Sequence, residues 1–129
     1  FLPRIMNGVI AARRNPTAMD IHWYHFVGWG WLNVTWWRRL TKLHGRLIRS
    51  LKKSNGIIIG EWSGIYMQRL FDNYPQREHV EMVRQNIRDQ QAAYSNADAW
   101  FYWNYKAAGP GAWDFKSLVD DGVLVMGRQ

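Results

Sequence analysis

The sequence predicts an α/β chain ordered strand, helix, strand, helix, strand, short helix, the alternation that builds a parallel sheet through βα crossovers. Three observations carry this: the β-branched run Gly56-Ile57-Ile58-Ile59-Gly60, the aromatic run from Ala99 to Tyr105, and a stretch of helical apolar spacing ahead of each. The chain has 129 residues, 47% hydrophobic and 21% charged, which is apolar content enough for one packed domain and argues against disorder. It has no cysteine, so disulfides and thiolate metal sites are excluded.

Residues 1–17 are a poorly defined leading segment, without the apolar core of a signal peptide; no run in the chain approaches the roughly 20 apolar residues that span a bilayer. Ala18 to Phe26 reads as the first strand, preceded by Asn15-Pro16 and followed by the turn Gly28-Trp29-Gly30. Alternate strand residues share a face, so Asp20, His22 and Tyr24 point one way while Ile21, Trp23 and His25 point the other. Those opposite faces argue against Asp20, His22 and His25 as a metal set, and no metal or cofactor is expected.

From Trp36, apolar residues recur at Leu40, Leu43, Leu47 and Leu51, one stripe of an amphipathic helix that should end at Ser54-Asn55-Gly56. The formal charge of +7 resides in this segment, where Arg38, Arg39, Lys42, Arg46, Arg49, Lys52 and Lys53 meet no acid. The remaining ten cations balance ten acids, so the protein is not basic throughout. We expect a solvated outer helix face, with neither nucleic acid nor membrane as partner.

The Ile-rich run suits a strand buried on both faces. Pro75 opens a second helix in which Val80, Val83, Ile87, Gln91, Tyr94 and Ala97 keep helical spacing to about Asp98. Ala99 to Tyr105 is a strand ended by Lys106 and Gly109-Pro110-Gly111, and Phe115 to Asp120 forms a short helix. Glu61, placed directly after the Ile-rich strand, is the strongest chemical candidate, because a carboxylate there is poorly solvated unless it has a partner. His22 and Tyr24 lie near the carboxyl end of the first strand, and Phe101, Trp103 and Tyr105 offer flat rings on which sugars or bases stack. No phosphate-binding loop, dinucleotide fingerprint or nucleophile elbow is present; in Gly60-Glu61-Trp62-Ser63-Gly64 the serine is one position late.

Taken together, Asp20-Ile21-His22-Trp23-Tyr24, Ile59-Gly60-Glu61-Trp62-Ser63 and Trp100-Phe101-Tyr102-Trp103-Asn104-Tyr105-Lys106, followed by Gly-Pro-Gly-Ala-Trp-Asp, resemble the family 5 glycoside hydrolases, in the exo-β-1,3-glucanase-like branch of that cellulase family. The likeness covers residues 18–124. It implies three consecutive βα units corresponding to strands 6 to 8 of a TIM (β/α)8 barrel, and a retaining glycosidase acting on a β-linked glucan or glucoside. In that likeness Glu61 matches the catalytic nucleophile, His22 and Tyr24 match the His-x-Tyr pair beside it, and Trp103 matches the aromatic platform under the reacting sugar.

Retention also needs a second carboxyl group about 5–5.5 Å from the first. The family carries it after an asparagine, and this chain has no Asn-Glu pair. Glu78 and Glu81 fall on the outside of the second helix, and Asp114 lies in the loop after the last strand. A (β/α)8 barrel takes about 250 residues, so we expect about three of its eight units here, with the missing strands supplied by a second copy or another partner. The alternative is a non-catalytic carbohydrate-binding or assembly module.

Overall fold

The computed structural model describes residues 17–25, 33–53, 56–108 and 111–126. The expectations for residues 1–16, Phe26, the Gly28-Trp29-Gly30 turn, Ser54-Asn55 and Gly109-Pro110 lie outside these residues. The described chain is a mixed α/β structure. Strands β1 (Ala18–His25), β2 (Gly56–Tyr66) and β3 (Ala99–Tyr102) form a parallel sheet in that order. Helix α1 (Val34–Leu51) connects β1 to β2, and α2 (Gln68–Phe71) and α3 (Gln76–Tyr94) connect β2 to β3; α4 (Phe115–Asp120) follows.

Side-chain alternation divides the sheet into two unlike faces. Ile57, Ile59 and Trp62 of β2 are fully buried against Ile48 and Leu51 of α1 and Ile87 and Tyr94 of α3. From β1, Trp23 stacks on His44 of α1 at 3.9 Å between ring centroids. Ile58 and Gly60, on the opposite side of β2, are only half-buried. The expectation of burial on both faces is thus corrected: among the described residues the helices cover one face, where Ile57 and Ile59 are fully buried and Ile58 is not.

Helix α1 begins at Asn33, whose side-chain Oδ1 accepts from the Trp36 amide at 2.9 Å. Its buried face is Trp37, Thr41, Gly45, Ile48 and Leu51, rotated by about one residue from the predicted stripe, and Trp36 and Leu43 stand exposed. The cause is the close crossing of α3. A Cβ on Gly45 would lie 3.1 Å from the Ala93 Cα, so the smallest residue takes the tightest approach and the leucines flank it. Thr41 enters the core because its hydroxyl donates to the Trp37 carbonyl at 2.9 Å.

Helix α3 ends at Tyr94 rather than near Asp98, and Val80 is exposed. Asp98 instead joins three elements: its carboxylate accepts from the Ile57 amide at 2.8 Å and pairs with Lys52 at 2.9 Å. The Ile57 amide first, then Lys52, hold its pKa below the usual value. Short α2 gave no periodic signal; Leu70 and Phe71 anchor it to the core. Helix α4 has the predicted bounds, and its cap is Asp114, which accepts from the Ser117 amide at 2.9 Å. The Ser117 amide is the main reason its carboxyl sits below the ordinary range. A structural cap accounts for Asp114.

Candidate active site

Strand β2 runs six residues beyond Gly60, so Glu61 lies within a strand and not after one. A β-bulge decides which way it faces. Ile21 pairs with Ile59 and His22 with Glu61; Ile59 pairs with Trp100 and Trp62 with Tyr102. At Gly60 and Glu61, β2 therefore carries one residue more than either neighbour. Without that extra residue Glu61 would continue the series Ile57, Ile59 under the helices, where an unpaired carboxylate is costly. With it, Trp62 fills the core and Glu61 turns to the open face, its side chain 30% exposed.

On that face the bulge brings Glu61 against β1. The Tyr24 hydroxyl donates to Glu61 Oε2 at 2.7 Å, and His22 Nδ1 stands 3.5 Å from the same oxygen. His22 Nε2 lies 3.3 Å from Asp20 Oδ2. Burial first, then the bond to Glu61 and its charge, push the Tyr24 phenol well above its ordinary pKa. The phenol therefore remains a donor, and Glu61 is held as an acceptor with Oε2 engaged. Among the described residues no side-chain hydrogen bond reaches Oε1. Both contacts from β1 therefore fall on the same carboxylate oxygen, Oε2.

His22, Tyr24 and Glu61, singled out in the sequence, thus meet in one cluster. Trp103 lies just past β3, which ends at Tyr102 rather than Tyr105. Its amide donates to the Trp62 carbonyl at 2.8 Å, so its backbone is tied one residue beyond Glu61. Phe101, Trp103 and Tyr105 are 58%, 48% and 66% exposed, while Trp100 and Tyr102 turn to the core. The chain beyond Trp103 is fixed by Asn104 donating to the Trp113 carbonyl at 2.9 Å and by Phe115 donating to the Asn104 carbonyl at 3.0 Å. The Tyr102 hydroxyl adds to this, accepting from the Gly64 amide at 2.8 Å and donating to the Ala112 carbonyl.

Two residues join the site that sequence reasoning did not assign to it. Asp20 is one, legible only through its alternation with His22. Trp113 is the other; its ring centroid lies 6.0 Å from that of Tyr24, and the signal was its place in the Gly-Ala-Trp-Asp run. Glu78 and Glu81 are exposed on α3, where Glu81 pairs with Arg84. His25 turns to the covered face, where its Nδ1–H donates to Asn86 Oδ1 at 2.8 Å, so it does not join His22 and Asp20. A separate cleft of about 620 Å³ lies between Phe71, His79, Val83 and Leu118 and includes no residue of this cluster.

The arrangement is a carboxylate with one oxygen held by a phenol, an imidazole alongside, and exposed aromatic rings on and just past the neighbouring strand. Such a carboxylate can act as a nucleophile toward an electrophilic carbon, and the rings can hold a flat apolar face such as that of a sugar. No family model matches this chain, and no curated protein matches it.

Proposed function

We propose that the chain carries the nucleophile side of a retaining β-glycosidase site acting on a β-linked glucan or glucoside, built on strands corresponding to 6 to 8 of a (β/α)8 barrel. One observation carries the reading: the Tyr24 hydroxyl donates to Glu61 Oε2 at 2.7 Å across adjacent parallel strands, and among the described residues no side-chain hydrogen bond reaches Oε1. Glu61 Oε1 attacks the anomeric carbon. The bond from that carbon to the leaving oxygen breaks with its electron pair, and a glycosyl ester forms on Glu61, which water then hydrolyses. Tyr24 fixes the carboxylate, His22 lines the site beside it, and Trp103 stacks under the sugar.

Among the described residues no second carboxylate is placed as the acid and base; Asp20 lies behind His22, and Glu78 and Glu81 are on the outer helix. The reading therefore includes assembly: a second copy or a partner supplies the missing strands and that carboxylate. In support, β1 and β3 each pair with β2 on one edge among the described residues. Aryl glucosides with a dinitrophenolate leaving group need no protonation of the departing oxygen, so they test the nucleophile by itself. The purified chain releases dinitrophenolate from such a β-glucoside, and Glu61→Gln loses that release; equal rates in the two proteins reject the nucleophile.

The exposed Phe101, Trp103 and Tyr105 favour a second reading, a carbohydrate-binding or assembly module without turnover. Glucan oligomers that quench tryptophan fluorescence in both wild type and Glu61→Gln, with no dinitrophenolate released by either, would select it.

A further inference from the structure

We infer that Asp20 is a positioning residue for Glu61, acting through His22; the inference rests on the nucleophile reading above. The geometry is a chain of contacts across two strands. Asp20 Oδ2 lies 3.3 Å from His22 Nε2, His22 Nδ1 lies 3.5 Å from Glu61 Oε2, and the Tyr24 hydroxyl closes on that oxygen at 2.7 Å. Glu61 Oε2 is thereby approached on two sides by groups from β1.

The imidazole is the less constrained of these two groups. His22 is exposed on the open face and is not among the described residues that pack against the core. An ionised carboxylate only accepts, so Asp20 engages His22 when Nε2 carries a proton, and Glu61 Oε2 is attracted to the ring when Nδ1 carries one as well. The bond to Asp20 sets the ring plane and turns Nδ1 toward Glu61.

The bulge makes room for this contact. A Cβ on Gly60 would stand 2.1 Å from Asp20 Oδ1 and 2.8 Å from its Cγ, so any side chain at position 60 would drive the Asp20 carboxylate off its place. The glycine that turns Glu61 onto the open face also seats the carboxylate that orients its neighbour. Asp20 touches no reacting atom in this arrangement, and its effect reaches the sugar through His22 and Glu61.

The test uses the full chain with Asp20→Ala and Asp20→Asn, which keeps one acceptor oxygen. Each protein is treated with an activated 2-deoxy-2-fluoro-β-glucoside bearing dinitrophenolate, and ester formation on Glu61 is followed by mass. Asp20→Ala should form the ester about 10-fold more slowly at an unchanged half-saturating concentration, and Asp20→Asn should recover most of the loss. Nitrogen NMR of the His22 ring provides a readout independent of chemistry: Nε2 is protonated in wild type and Asp20→Asn, and that preference is lost in Asp20→Ala. Unaltered ring signals in Asp20→Ala would overturn the inference, as would an unaltered rate. If the wild type forms no ester, the nucleophile assignment fails, and the ring signals still decide whether Asp20 holds His22.

Discussion

Both faces of the sheet carry linked polar side chains, with different partners. Under the helices, His25 donates to Asn86 at 2.8 Å, Asn86 donates to the Gly64 carbonyl at 2.9 Å, and Gln90 donates to the Ser63 carbonyl at 2.9 Å. Those carbonyls lie where β2 runs out of register with β1, between the pairs Trp23–Trp62 and His25–Tyr66, so α3 supplies the bonds the ladder lacks. On the open face Asp20, His22, Glu61 and Tyr24 also form a chain of polar contacts, but half-exposed and with one carboxylate oxygen left over. Polar groups on the covered face pay for irregular backbone. Those on the open face contact one another's side chains.

The sharpest contrast lies between neighbours on one strand. Trp62→Ala should cost about 3–5 kcal/mol, because it empties the space between Tyr94, Trp100 and Tyr102. Glu61→Gln, one residue earlier, should stay within about 0.5 kcal/mol of wild type while abolishing dinitrophenolate release. Urea unfolding of both variants checks the pair, and a large loss from Glu61→Gln would erase the distinction between the faces.

Acid should act on the covered face. Burial lowers the pKa of His25 and of His44 from 6.5 to about 4, with Asn86 partly opposing the shift at His25 and the nearby His25 adding to it at His44. The folded state thus binds these protons less readily than the unfolded chain. The associated stability is fully present above pH 6.5 and is lost as pH falls toward 4, on the order of a few kcal/mol for the two together. Urea midpoints measured from pH 7.5 to pH 4 should decline across that window; a flat profile would mean that the two imidazoles are not desolvated.

Asn86→Ala should follow at about 1–3 kcal/mol, since it leaves the His25 Nδ1–H and the Gly64 carbonyl buried without these partners. Trp103→Ala should be smallest for stability, within about 0.5 kcal/mol, and yet should weaken binding of glucan oligomers. Thermal unfolding and fluorescence titration separate the two effects.

These contrasts also mark what the sequence made legible. The Ile57-Ile58-Ile59 run, the α3 spacing around Val83 and Ile87 and the Phe115–Asp120 helix were readable because each repeats a period that burial enforces. The face of α1 was not, because its tightest contact belongs to Gly45 and its core to Thr41, residues that a hydropathy stripe passes over in favour of Leu43. The bulge was hidden as well: a one-residue offset leaves no compositional mark, and only the register of β2 against its two neighbours exposes it. Glu61, His22 and Tyr24 were nameable as candidates without it, but their meeting on one face was not derivable from regular alternation across β2.

Glu61 is the proposed nucleophile, and the most direct measurement is where a trapped sugar lands. After incubation with the activated 2-deoxy-2-fluoro-β-glucoside, peptide mass spectrometry of the digested chain should find one glycosyl ester, on Glu61, absent from Glu61→Gln. An unlabelled wild-type chain, or equal labelling of the variant at another residue, would contradict it.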